Sequence, residues 1–308
     1  MMFGVHKHIW RAKKMTKIIP HLWFDTEAKE ATEFYMGLFE ESKLTGTQLL
    51  EDTPGGDTQV YNFALYGQSF TAINGGPYFT FNPSISLTVK CETKEELDEK
   101  WAYLIEEGKA LMPLQEYTFS EWYGWVEDKY GLTWQLILAE EEFEQKIIPS
   151  LMFSGDKTGK AKEAMRYYTN LFQDGEIVEE HVYERDAAKN SKAQISHAVF
   201  ELMDVEFIAM DDGDSADAPF NEAFSLMVHC VTQAEIDYYW EKLSADPEAE
   251  ECGWLKDKYG LSWQIVRSSL DEYLETGTRE QVNRVTKAFL KMKKLDIGAL
   301  ERAWLDID

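Results

Sequence analysis

Basic residues are scarce in this 308-residue chain. Lys and Arg number 31 against 56 Asp and Glu, which leaves a formal net charge of −25 at pH 7. Such a surface repels phosphate backbones and anionic headgroups, so nucleic acid and membrane surfaces are excluded as partners in the absence of a local basic patch. Cysteine is nearly absent. Cys91, Cys230 and Cys252 leave an odd thiol and no metal-type spacing. That excludes a disulfide framework or a cysteine zinc site, and it fits a reducing, cytoplasmic setting. With only 19 Gly and 8 Pro, the chain is neither collagen-like nor linker-dominated. No apolar run approaches the roughly 18 residues of a membrane span. Residues 1–14 are basic but lack a hydrophobic region, so they do not read as a secretory signal. They read as an extension ahead of a natural start at Met15.

What is present is globular composition, with 44 % hydrophobic and 28 % charged residues, over a length that predicts about two domains. The chain also repeats itself. Lys17-Ile-Ile-Pro-His-Leu-Trp-Phe24 recurs as Lys146-Ile-Ile-Pro-Ser-Leu-Met-Phe153, and Phe34-Tyr35…Leu38-Phe39 as Tyr167-Tyr168…Leu171-Phe172. Asp128-Lys-Tyr-Gly-Leu-Thr-Trp-Gln135 returns as Asp257-Lys-Tyr-Gly-Leu-Ser-Trp-Gln264. The two copies define domains at 15–140 and 145–270, followed by a tail at 271–308.

Within each copy the periods alternate. Ile18–Phe24 is short and apolar and predicts a strand. Ala28, Ala31, Phe34, Tyr35 and Leu38 fall at helical spacing. Three short strands follow at 44–50, 59–65 and 69–74, then another at 84–91. Thr93 and Glu96 form a capping-box signature for a second helix, and three more strands follow it. The pattern is βαβββ twice per copy, hence four such units. In the tail, 280–294 and 297–305 have helical period, and this segment is expected to pack across one domain.

Taken together, the duplicated βαβββ units, Ile19-Pro20-x-Leu22-x-Phe24, Phe34-Tyr35 and Gly124-Trp125-Val126-x-Asp128-Lys-Tyr-Gly-Leu-x-Trp-Gln135 resemble the vicinal-oxygen-chelate (glyoxalase/bleomycin-resistance) superfamily. Within it the chain is similar to the PhnB-like subfamily often labelled 3-demethylubiquinone-9 3-methyltransferase. The tail Val285-x-Lys-Ala-x-Leu-x-Met-Lys-Lys-Leu-Asp-Ile297 matches that subfamily too. The resemblance implies an α+β fold of four βαβββ units in two fused glyoxalase-like domains. Each such domain is a curved sheet around a cavity. Active members hold a divalent metal there with His and Glu and use it as a Lewis acid in lyase, dioxygenase or transferase chemistry.

The resemblance places the first-strand ligand position at His21 and Ser150 and the last-strand position near Gln135 and Gln264. The middle strands offer Thr71 or Ile73, Ser84 or Ser86, Ile208 or Met210, and Ala223 or Ser225. Gln brings no charge to a dication, and catalytic sites usually present three protein ligands. No metal site is therefore expected. His21 is the one residual metal candidate and otherwise a cavity-lining histidine. His197 and His229 read as ordinary strand residues. Gly55-Gly56 and Gly75-Gly76 lie between strands, so neither supplies the helix-opening turn of a nucleoside-cofactor site.

Aromatic residues are plentiful in the first copy, and concave aromatic pockets with a few polar groups are the usual small-molecule sites. The candidate lining is His21, Trp23, Ser86, Phe119, Trp122, Trp134 and Gln135. The second copy is cut down at 245–252, so the cavity is expected in domain 1. The expected function is binding of a small molecule there, with catalysis left open; the alternative is a metal-dependent lyase, dioxygenase or transferase. No cofactor is expected beyond a divalent metal in that alternative. The chain is expected to be a monomer with pseudo-dimeric domains, or a homodimer. The acidic run Asp211–Asp217 reads as a solvated loop.

Overall fold

A computed structural model describes residues 18–53, 55–139, 143–184, 187–214, 216–268 and 270–307. The extension at 1–14 lies outside them. The first unit is β1 (Ile18–Phe24), α1 (Ala28–Leu38), β2 (Lys43–Thr53), β3 (Gly56–Leu65) and β4 (Gln68–Asn74). The second is β5 (Ile85–Cys91), α2 (Lys94–Leu104), β6 (Lys109–Tyr117), β7 (Ser120–Glu127) and β8 (Thr133–Leu138). The third is β9 (Ile147–Phe153), α3 (Ala161–Leu171), β10 (Glu176–Val182), β11 (Ile195–Leu202) and β12 (Val205–Asp211). The fourth is β13 (Phe224–Cys230), α4 (Gln233–Leu243), β14 (Trp254–Lys256) and β15 (Ser262–Arg267). It has one strand fewer among the described residues. The shortened 245–252 segment, with Pro247 opening a single 3₁₀ turn, takes that strand's place.

The strands do not assemble copy by copy. One sheet runs β14-β15-β13-β1-β4-β3-β2, and the other β10-β11-β12-β9-β5-β8-β7-β6. Each sheet therefore joins the first unit of one copy to the second unit of the other. β1 pairs antiparallel with β13, and β9 with β5. A reciprocal contact marks the pseudo-two-fold: Asn82 donates to the Pro219 carbonyl at 2.8 Å and Asn221 to the Thr80 carbonyl at 3.0 Å. The cavity expected in domain 1 would therefore lie against a sheet to which both copies contribute strands.

Alternation along each strand separates a helix face from an outer face. Ile18, Leu22 and Phe24 are buried in the core with Ala28, Ala31 and Tyr35 of α1, whereas Ile19, His21 and Trp23 point the other way. The repeated Asp-Lys-Tyr-Gly motif explains how helix and sheet lock. Asp128 is buried and accepts the Tyr35 hydroxyl at 2.8 Å, the Trp134 indole N–H at 2.9 Å and the Tyr130 and Leu132 amides. Asp257 does the same with Tyr168, Trp263, Tyr259 and Leu261. Cys91 and Cys230 are buried at matching strand ends, and burial pushes the Cys91 thiol up to about 12. Such a thiol is inert and packs as a small apolar group.

Asp211 and Asp212 are not the solvated loop that the acidic run predicted. Asp211 accepts four backbone amides, from Gly159, Ala161, Gln194 and Ile195, and is buried beside the start of α3. The carboxylate offsets the orphan N–H groups of the helix end.

The tail forms α5 (Leu270–Thr276), α6 (Arg279–Phe289) and α7 (Ile297–Leu305). Thr278 and Gln281 make a capping box for α6. Val285, Phe289, Leu295 and Leu300 are buried, and Tyr273 stacks on Trp304 at 4.5 Å. Asn283 reaches Glu51 of β2 at 2.9 Å, and Arg279 reaches it at 3.1 Å. The tail thus lies against the first sheet, which draws on both copies. No helix among the described residues is long and apolar enough to cross a membrane.

Candidate functional site

On the outer face of the first sheet, directly paired positions line up across six strands. Gly46 stands opposite Asn62, Asn62 opposite Thr71, Thr71 opposite His21, His21 opposite Ser225, and Ser225 opposite Ser262. At about 4.8 Å per strand the row spans roughly 24 Å. The second sheet holds the matching row Glu179, Val199, Ile208, Ser150, Ser86 and Thr133. Asn62, Thr71 and His21 thus face Val199, Ile208 and Ser150 across the pseudo-symmetry. The first sheet carries the more polar row.

Its polar groups are partly spoken for. Thr71 donates to the Asn62 side-chain oxygen at 2.9 Å, and the Gln264 amide donates to the Ser225 hydroxyl at 2.9 Å. His21 is almost fully buried, and desolvation pushes its imidazole down to about 3, so it is neutral. Its Nδ1 and the Ser262 Oγ are buried and have no hydrogen-bond partner among the described residues. An unmet buried polar atom costs about 1–3 kcal/mol. Two of them in one row mark where a polar partner would be most favourable. The ring of Trp254 stands edge-on to His21 at 5.3 Å and to Trp23 at 6.1 Å. The Trp23 indole N–H donates to the Gly76 carbonyl at 2.8 Å. Its ring lies so close over Gly75 that a Cβ there would sit 2.2 Å away.

In the second sheet the Gln135 amide donates to Ser86 at 2.6 Å and accepts the Tyr123 hydroxyl at 2.7 Å. Ser150 and Thr88 hydroxyls lie 2.6 Å apart. Among the described residues of that sheet, the Trp125 indole nitrogen is buried without a hydrogen-bond partner.

The seven residues singled out in the sequence therefore divide. His21 and Trp23 share the outer face of the first sheet. Ser86 and Gln135 share that of the second, with Phe119 exposed at the β6–β7 tip and stacked on Tyr117 at 5.3 Å. Trp134 lies in the core on Asp128, and Trp122 turns toward α2, donating to Asp98 at 2.7 Å under Lys94. Neither lines an outer face. Asn62, Ser262 and Trp254 were missed. The signal for Asn62 was the divergence between copies in the third and fourth strands.

The donor set decides how well a divalent ion fits. The positions that would hold one offer one imidazole, hydroxyls and an amide in the first sheet, and no imidazole in the second. No carboxylate stands in either set, so the residues do not fit a tightly held dication. Among the described residues no group of three or more His, Cys, Asp and Glu is arranged to hold a metal ion. His181 and His197 do meet across β10 and β11, with rings 6.3 Å apart, two residues along from Glu179 and Val199 of the second row, and His181 also contacts Glu179. Two open clefts of about 460 and 590 Å³ share Phe81, Glu107, Lys129 and Tyr130. The smaller is also lined by Trp23, so it borders the outer face of the first sheet, and neither contains a residue of the two rows.

The model of the 3-demethylubiquinone-9 3-methyltransferase family matches residues 16–137 and again 145–266. The chain belongs to this family. Its PhnB-like units recur in tandem, four βαβββ-type units in an α+β fold with a helical tail. A PhnB protein of Bacillus cereus, described as a 3-demethylubiquinone-9 3-methyltransferase, is 43 % identical over 40 % of this chain and 99 % of its own, with a TM-score of 0.38. Glyoxalase I of Zea mays covers 85 % of this chain and 98 % of its own, at 11 % identity and a TM-score of 0.53. That second likeness shows the glyoxalase-type fold of this PhnB-like chain. Among curated proteins there is no match.

Proposed function

We propose that this PhnB-like chain binds a small molecule on the outer face of its first sheet, using neutral polar groups and no resident divalent metal. The observation that carries the reading is the pair of buried, unpartnered atoms, His21 Nδ1 and Ser262 Oγ, two strands apart in one row. Two strand spacings are about 10 Å, a span that one small ligand bridges. Trp23 and Trp254 beside them suit a flat apolar portion, and the neutral imidazole donates or accepts according to tautomer. Catalysis is not required. The face is complete within one chain, because both copies contribute strands, so a monomer suffices. The odd cysteine count favours the cytoplasm.

The family's description names methyl transfer. For this chain, Gly55-Gly56 falls at the β2–β3 turn and Gly75-Gly76 follows β4. Neither opens a helix, which argues against a nucleoside methyl donor held at either turn.

The test is a thermal-shift screen of EDTA-treated full-length protein against small aromatic amides, alcohols and acids. Hits that stabilise wild type but not His21→Ala or Ser262→Ala are expected. Hits that stabilise all three equally would overturn the assignment of the face.

A further inference from the structure

The far end of the row is occupied by the chain itself. From α5, Glu275 brings its carboxylate over β2 and β3. One oxygen accepts the Gln48 side-chain amide at 3.2 Å and the Asn62 side-chain amide at 3.4 Å. Both donors are set from behind. Asn62 has its oxygen engaged by Thr71, which leaves its NH₂ forward. The Gln48 backbone carbonyl is held by Gln59 at 2.8 Å, and Gln48 is buried. Room for the carboxylate comes from Gly46, where a Cβ would lie 2.1 Å from the same Glu275 oxygen. Any side chain at 46 would have to shift that group.

The second sheet has no counterpart. Glu179 and Val199 stand where Gly46 and Asn62 do, so neither the gap nor the forward amide exists there. The tail's hold on β2 does not depend on Glu275 alone, because Arg279 and Asn283 grip Glu51 one turn further on. Helix α6 therefore keeps its own hold on β2 when the Glu275 contact is broken. Both contacts are long, and Glu275 is exposed to water, so an incoming carboxylate offered to the same two amides is able to compete.

We propose that Gly46, Gln48 and Asn62 form a carboxylate subsite which Glu275 fills from within, and that the ligand is a small carboxylic acid whose carboxylate displaces it. This rests on the reading of the first sheet as the ligand face. It adds the ligand's chemical class and makes α5 an internal competitor.

The experiment titrates EDTA-treated full-length protein with benzoate and, as neutral control, benzamide, followed by tryptophan fluorescence. Glu275→Ala is expected to bind benzoate about tenfold more tightly than wild type, with benzamide unchanged. Adding Gln48→Leu should erase the gain. Hydrogen exchange over 270–276 should quicken in Glu275→Ala while 279–289 stays protected. Equal benzoate affinity in wild type and Glu275→Ala, no benzoate binding to that variant, or a gain that survives Gln48→Leu each overturns the subsite. The two readings fail separately. Gln48-dependent benzoate binding indifferent to His21→Ala would sink the His21 face and keep the subsite. His21-dependent binding indifferent to Glu275 would do the reverse.

Discussion

The side-chain amide of Gln264 donates to the Ser225 hydroxyl at 2.9 Å, on the strand beside His21. The pair is repeated in the second sheet by Gln135 and Ser86 at 2.6 Å. Each Gln satisfies a neighbouring hydroxyl where a carboxylate would draw a cation, and this is the chemical difference between a polar binding face and a metal site. Converting the set should create ion binding. Ser225→His with Gln264→Glu gives two imidazoles and one carboxylate together with His21, the three-ligand minimum of many catalytic metal sites. After gel filtration this variant is expected to retain close to one nickel or zinc ion per chain, and wild type far less. Metal analysis of the two checks it.

Acid should destabilise the protein through its buried histidines. His21 is held down to about 3 and His229 to about 4, both by burial. Below the ordinary histidine value the unfolded chain takes up protons that the native chain refuses. Stability is therefore full above about pH 6.5 and falls as pH drops toward the folded values, by up to ~1.4 kcal/mol per pH unit for each group. Urea unfolding between pH 7 and pH 4 should show a shallower decline in His21→Gln than in wild type.

The Asp128 clamp is structural. Desolvation raises this carboxyl to about 6 in spite of its four donors. Its pH dependence runs opposite to that of the histidines, because the native state holds the proton better and the contribution is lost as pH rises through about 6. Asp128→Ala strands the Tyr35 hydroxyl and the Trp134 N–H, each costing ~1–3 kcal/mol. A loss of at least ~3 kcal/mol in denaturant unfolding is expected, against ~1 kcal/mol for Tyr35→Phe.

Loss of the α6 cap should loosen the tail and little else. Thr278 accepts the Gln281 amide while Gln281 returns a bond to the Thr278 amide. Thr278→Ala is expected to cost ~1 kcal/mol. Limited proteolysis should then cut near 277 before any site in the sheets.

Much of this was legible in the residues. Ile18–Phe24 and Ile297–Leu305 fall where their periods put them, and the repeat of Asp128 to Gln135 marks the clamp twice. Two errors have a physical cause. Trp134 and Gln135 are neighbours on one strand and must face opposite ways, so they never belonged in one lining; Trp122 likewise faces α2 rather than the outer face. The pairing of β1 with β13 was invisible, because strand alternation records which face is buried and not which strand lies alongside. Helix α5 escaped notice because seven residues are too few for a helical period to show. Its Glu275 contact depends on Gln48, more than two hundred positions away.

The most direct measurement is the affinity of one screened ligand for wild type, His21→Ala and Ser262→Ala, each with and without EDTA. The account predicts an affinity indifferent to EDTA and weakened at least tenfold in both variants. Binding that disappears with EDTA, or that survives both substitutions, would contradict it.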